Sequence, residues 1–126
     1  MTTTRVRLGR RGEDLAAGFL KSEGCGIVAS NYRSPWGEID LVAWDGEELA
    51  FVEVRTRSSD KYGTPEESIT RRKADHLTAA AQHFLQNHAP ENDGEELPWR
   101  IDLVSVRLTG GIGSPQIDHI KYAVQG

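Results

Sequence analysis

The chain has 126 residues, 37% of them hydrophobic and 27% charged, with a net charge of −4 at neutral pH. That length suits one domain over residues 1–126 with room for a buried core, and the composition excludes a disordered chain. No apolar run reaches a membrane span, the opening "MTTTRVRLGRRGED" holds no apolar signal region, and the lone Cys25 has no cysteine partner. A cytoplasmic protein with no membrane association is expected.

In chain order, residues 7–22 predict an amphipathic helix with Leu8, Leu15, Ala16, Phe19 and Leu20 in one stripe. "EGCG" ends it, and "IVASNYR" (27–33) reads as a strand. "SPWG" is a turn, followed by strands at 37–44 and 49–56 joined through "DGEE". The polar stretch "RSSDKYGTPEES" leads to a helix from Thr70 to Asn87, with Leu77, Ala80, Ala81, Phe84 and Leu85 on one side. After "HAPENDGEELP" come a strand at 99–108, a glycine-rich loop at Gly110, Gly111 and Gly113, and a final strand at 116–123.

Charge is unevenly distributed. Residues 1–73 hold 12 of the 15 Lys and Arg residues, in clusters at Arg5/Arg7/Arg10/Arg11, Arg55/Arg57/Lys61 and Arg71/Arg72/Lys73. Brought together, these make a phosphate-binding face; kept apart, they are ordinary solvated charge.

The hairpin "GEIDLVAWDGEELAFVEVRTR" (37–57) sets Asp40 between Ile39 and Leu41, and Glu53 between Val52 and Val54. If Trp44 pairs with Leu49, Asp40 lies opposite Glu53; with a two-residue turn at Asp45–Gly46, it lies diagonal to it. Either way the strand period puts Glu38, Asp40, Glu53 and Arg55 on one face, with Ile39, Leu41, Val52 and Val54 on the other. Two carboxylates this close need a proton, an arginine or a cation, and hard oxygen ligands favour Mg²⁺ or Mn²⁺. The alternative is a Glu38–Arg55 ion pair beside a solvated Asp40. At 100° per residue, Glu13 borders the first helix's apolar stripe while Asp14 points away. Lys73 falls within the second helix's stripe, facing either the carboxylates or solvent, and Arg72 faces out.

"RRGEDLAAGFL", "GEIDLVA", "FVEVRTR" and "ITRRKADHLTAAAQHFL", in this order, resemble the bacterial YraN-like family of uncharacterised proteins. That family is similar to archaeal Holliday-junction resolvases within the restriction-endonuclease-like superfamily. The resemblance implies an α/β, three-layer fold with a central mixed β-sheet flanked by helices. It also implies a Mg²⁺- or Mn²⁺-dependent nuclease acting on structured or branched DNA, working as a homodimer. By position it makes Asp40, Glu53 and the Val54 carbonyl the metal ligands, Glu13 a helix-borne acid and Lys73 an auxiliary base-side cation. Arg7, Arg10, Arg11, Arg57, Arg71 and Arg72 become candidates for phosphate binding.

One position departs from the superfamily pattern. Arg55 stands where the signature has lysine, and arginine stays protonated at neutral pH, so it serves phosphate binding or charge stabilisation rather than proton abstraction. A non-catalytic nucleic-acid-binding or interaction module on the same fold is therefore the second reading. Other signals are weaker. His76 and His83 read as surface or packing histidines, "GGIGS" as a hairpin loop, Asp102 as the structural partner of an arginine, and Trp36 and Tyr32 as anchors of their turn or as base-stacking rings.

Overall fold

The computed structural model describes residues 4–57, 69–88, 96–108 and 115–124, with side chains from residue 9 onward. The expectations for Arg7, Lys61 and the "GGIGS" loop fall outside this set. Among the described residues seven elements follow in order: α1 (Thr4–Ser22), β1 (Gly26–Ser34), β2 (Gly37–Asp45), β3 (Glu48–Arg57), α2 (Arg71–His88), β4 (Trp99–Arg107) and β5 (Gln116–Ile120). The five strands form one sheet in the order β1-β2-β3-β4-β5. Neighbours are antiparallel except β3 and β4, which run parallel because α2 carries the chain back between them.

Each helix covers one face. Leu15, Ala16, Phe19 and Leu20 of α1 pack on Leu41, Ala43, Ala50, Val52, Val104 and Val106, while Leu77, Ala80, Ala81 and Phe84 of α2 pack on Ile39, Val42, Leu49, Phe51 and Ile101. The result is a three-layer α/β fold consistent with the restriction-endonuclease-like arrangement. Among the described residues no helix is long and apolar enough to cross a membrane.

Local chemistry sets the ends of the elements. At the end of α1, Gly24 adopts φ +92°, the Cys25 N–H donates to the Leu20 carbonyl and the Gly24 N–H to the Lys21 carbonyl. This pair of bonds closes the helix and sends the chain into β1. Trp44 pairs with Leu49, as one of the two registers requires, and pairing extends to Asp45 and Glu48. The turn is therefore Gly46–Glu47, with Gly46 at φ +64° in the place where a two-residue hairpin of the II′ type uses glycine. The last strand ends three residues earlier than its pattern predicts, because Tyr122 turns into the left-handed region at φ 54°.

Asp102 is the arginine partner expected of it. It is fully buried, and Arg100 Nε reaches both of its carboxylate oxygens at 2.9 Å. The same guanidinium donates to Glu48 Oε1 at 2.7 Å and Asp45 Oδ2 at 2.8 Å, fastening the β2–β3 turn to β4. His119 Nε2 lies 2.7 Å from Asp102 Oδ2, and the Tyr122 N–H donates to Asp102 Oδ1 at 3.1 Å.

Two glycines of α1 have opposite roles. A Cβ on Gly12 would meet Thr56 Cβ at 3.0 Å and Thr56 Cγ2 at 3.2 Å, so α1 approaches β3 too closely for any side chain there. A Cβ on Gly18 would meet nothing. Gly18→Ala should therefore stabilise the fold by up to about 1 kcal/mol through helix propensity. Gly12→Ala should destabilise it by about 1–3 kcal/mol despite the same propensity gain, and denaturant unfolding of the two variants measures both signs.

Candidate active site

β2 and β3 part company in mid-sheet. They pair from the turn as far as Leu41 and Val52, after which β2 continues alongside β1 only and β3 alongside β4 only. Asp40 stands at this fork and is skipped in the register on both sides. Side-chain alternation breaks there too: Ile39 packs under α2 and Leu41 under α1. Strand periodicity alone put Ile39 on the Leu41 face, and the irregular backbone at the fork overrides it. Across from Asp40 on β1, Asn31 takes a left-handed conformation at φ 52°, one that asparagine tolerates better than most residues.

The fork gathers four carboxylates. Asp40 Oδ2 accepts the Val54 N–H at 2.8 Å, an amide that β2's backbone no longer meets. The carboxylates of Glu13 from α1 and Glu53 from β3 lie close to it, like charges that disfavour its ionised form. Glu13, Glu38 and Asp40 each offer an oxygen, all within 4.8 Å of one another. With its amide nitrogen turned toward them, Asn31 donates to Glu13 Oε1 at 3.0 Å and Glu38 Oε1 at 2.9 Å.

Glu53 is provided for differently. It is buried, and both Arg55 Nη2 at 3.0 Å and Lys73 Nζ at 3.2 Å contact its Oε2. Lys73 points inward, as its place in the helix stripe allows. Thr70 helps set it there by capping α2, with its Oγ1 accepting the Lys73 N–H at 3.1 Å. Arg55 pairs with Glu53 and not with Glu38, which lies 3.9 Å from the exposed Arg33. Among the described residues two cations thus contact Glu53, while Glu13, Glu38 and Asp40 have the Asn31 amide and the Val54 N–H close by, with Arg33 at 3.9 Å from Glu38 and the charge of Arg10 acting on Glu13. This is a site short of positive charge.

The titration behaviour follows. Burial, then the nearby Glu53 charge, pushes Asp40 up to about 8, with the Val54 N–H acting against the shift. Burial also raises Glu13, and Glu38 and Asp14 add to the effect, while the Asp40 contact and the Arg10 charge oppose it.

Of the other expected residues, Arg10 sits close enough to act on Glu13, whereas Arg11, Arg71 and Arg72 are exposed on their helices. Arg57 is half-buried at the end of β3. Asn31 and Glu38 complete the site without having been singled out as members of it. Glu38 was legible as the residue two before Asp40; Asn31 showed only as a poor strand former inside a strand.

The layered sheet, with acids drawn from one helix and two strands where the middle strands separate, places the chain in the restriction-endonuclease-like fold class. Residues 12–106 match the Uncharacterised protein family UPF0102, and the chain belongs to that family, the YraN-like one its motifs resemble. It is 45% identical over 124 residues to a UPF0102 protein of Dehalococcoides mccartyi, covering 98% of each chain. A UPF0102 protein of Roseiflexus castenholzii is 44% identical over 126 residues, 99% of this chain and 98% of its own. One from Solibacter usitatus is 45% identical over 120 residues, 91% and 83% of the two chains.

A pH dependence of stability follows from Asp40. Its folded-state pKa lies above the ordinary carboxylate value, so between about pH 4 and pH 8 the folded chain binds more protons than the unfolded one. Stability from this group is therefore present at low pH and lost as pH rises. In EDTA, the melting temperature should fall by about 3 °C or more from about pH 6 to about pH 8.5. In Asp40→Asn that fall should largely disappear, and the variant should melt above the wild type at the higher pH.

Proposed function

We propose that this protein is a divalent-metal-dependent nuclease that hydrolyses phosphodiester bonds in structured or branched DNA. The observation carrying this reading is the deficit of positive charge at the fork. Among the described residues Glu13, Glu38 and Asp40 converge around Asn31 and the Val54 N–H, with Arg33 only at 3.9 Å from Glu38. Hard carboxylate oxygens at this spacing suit Mg²⁺ or Mn²⁺, which would be held by Asp40 together with Glu13 and Glu38, or with Glu53 and the Val54 carbonyl. When bound, such an ion polarises the scissile phosphate and makes water an effective nucleophile at neutral pH.

The chain's own residues supply the rest. Arg55 and Lys73 present two cations at one edge of the acid cluster, where a phosphate oxygen would exchange for the Glu53 carboxylate as their partner. Arg55 stays protonated and stabilises developing charge on that phosphate. Arg10, on the helix that carries Glu13, adds a positive charge on the α1 side.

A nucleic-acid-binding module without catalysis is the second reading. It is favoured by Arg55 in the superfamily's lysine position and by the closed Glu53–Arg55–Lys73 contact, which removes both cations from the acids.

Calorimetric titration with Mn²⁺ separates the ligand sets. Wild type should bind with micromolar to millimolar affinity and Asp40→Asn should not, while folding as judged by circular dichroism. Loss of binding in Glu38→Gln but not Glu53→Gln assigns the ion to the Glu13–Glu38–Asp40 side; the reverse assigns it to β3. Absence of any Mn²⁺ binding in the wild type at millimolar concentration removes the metal from the proposal.

Cleavage tests the arginine. In Mn²⁺, Arg55→Lys should retain or exceed wild-type cutting of a branched DNA, since it restores an ammonium. Arg55→Ala should lose roughly tenfold or more, the scale of a charge-assisted contact of about 1.5–3 kcal/mol. If wild type and Arg55→Lys both leave junction, flap and single-stranded substrates intact, the binding module is the correct reading.

A further inference from the structure

Trp36 is 58% exposed, one of three large hydrophobic side chains left open among the described residues. Its turn is built to hold it out. Ser34 and Gly37 pair across the β1–β2 hairpin, Ser34 Oγ donates to the Gly37 carbonyl at 2.9 Å, and the Trp36 N–H donates to Ser34 Oγ at 3.1 Å. Pro35 restricts the first turn position, and Gly37 adopts φ +151°, which a larger residue resists. The neighbouring Tyr32 does the anchoring instead: it hydrogen-bonds His83 and packs edge-on to Phe84 at 5.1 Å.

The indole forms one wall of an open groove of about 320 Å³ against the outer side of α2, lined by Trp36, Ala79, Gln82, His83 and Gln86. That volume is at the small end of ligand clefts, which run from roughly 300 to 1,000 Å³. Its chemistry is specific. Among the described residues no acid lines it to repel a polyanion, and no lysine or arginine lines it to make it a phosphate site. Beside the His83 ring, which Tyr32 hydrogen-bonds, the indole shares the groove with two carboxamides placed one helical turn apart, each offering a donor and an acceptor. A flat, neutral, hydrogen-bonding ring fits this set, and glutamine amides are suited to the edge of adenine. The turn closes on α2, where a Cβ on Gly37 would lie 3.7 Å from His76 Cβ, and the same helix carries Lys73 onto Glu53 on its inner side. Gln82 is nine residues beyond Lys73, about 14 Å along the helix axis. Half a turn around α2 separates the two, so a strand leaving the acids must also round the helix, which takes more than the about four nucleotides that the axial distance spans at duplex spacing.

We propose that this groove is a nucleobase-binding subsite, in which an unpaired base of the nucleic acid stacks on Trp36 and is held at its edge by Gln82 and Gln86. The assignment rests on the nucleic-acid reading above, but its test does not require cleavage. Tryptophan fluorescence of the full chain in EDTA is titrated with a short single-stranded adenine-rich oligonucleotide and with an abasic strand of the same length. The base-bearing strand should quench the emission and the abasic strand should not. Trp36→Ala should abolish the quenching and weaken binding about five- to hundredfold, the scale of one stacked base. Trp36→Phe should recover part of the affinity, and Gln82→Ala with Gln86→Ala should weaken it further. Because Trp36 is exposed, its variants should melt like the wild type.

Equal affinity of wild type and Trp36→Ala, or equal quenching by the abasic strand, overturns the subsite. So does a Trp36→Ala effect confined to self-association in sedimentation. Quenching by a chain that cuts nothing in Mn²⁺ supports the subsite and sinks the nuclease. Cleavage without quenching does the reverse, and a chain that neither binds nor cuts sinks both.

Discussion

The hydrogen bond from the Val54 N–H to Asp40 is where the two central strands stop being a ladder. A side chain has taken a backbone amide, and that exchange lets β2 follow β1 while β3 follows β4 without leaving the Val54 N–H unpaired. The carboxylate is thereby drawn among buried groups. A hydrogen bond to a charged acceptor contributes about 1.5–3 kcal/mol, whereas taking an ion out of water costs several kcal/mol. One N–H therefore does not offset the burial, and Asp40 holds its proton far above the ordinary carboxylate range. The acid cluster and its titration both descend from the fork.

Fully buried Asp102 and half-buried Asp40 show the same physics with opposite outcomes. Asp102 receives Arg100 Nε on both oxygens, His119 on one and the Tyr122 N–H on the other. Its charge is matched within the fold, and removing Arg100 would strand it. Asp40 has one backbone donor and two acids for company. The Arg100 network also grips Asp45 and Glu48 at the hairpin turn, so it holds the register that, followed down the strands, brings Asp40 against Glu53. The satisfied end of the hairpin thus keeps the unsatisfied end in place.

The helices deliver their groups from opposite layers, and each does so through a small local device. Gly12 lets α1 sit against Thr56 and brings Glu13 to the fork. Thr70 caps α2 three residues ahead of Lys73, which reaches Glu53 from the other side.

Much of this was legible in the chain itself. Apolar spacing marks both helices and all five strands, because a 3.6-residue or two-residue period is a local property of residues that must bury one side. Asp40 and Glu53 stand out because carboxylates inside apolar strands are costly wherever the strands end up. Asp102 was readable as an arginine's partner for the same reason. The tertiary structure alone decided how these charges were shared. Arg55 goes to Glu53 and not to Glu38, since β3 stays beside β4 while β2 swings away. Ile39 leaves the face its period predicts, since alternation holds only while a strand stays regular. Asn31 and Glu38 join the acids, and Trp36 stays in the open. Each of these depends on where the strands separate, a contest between ladder bonds and side-chain bonds that no local pattern records.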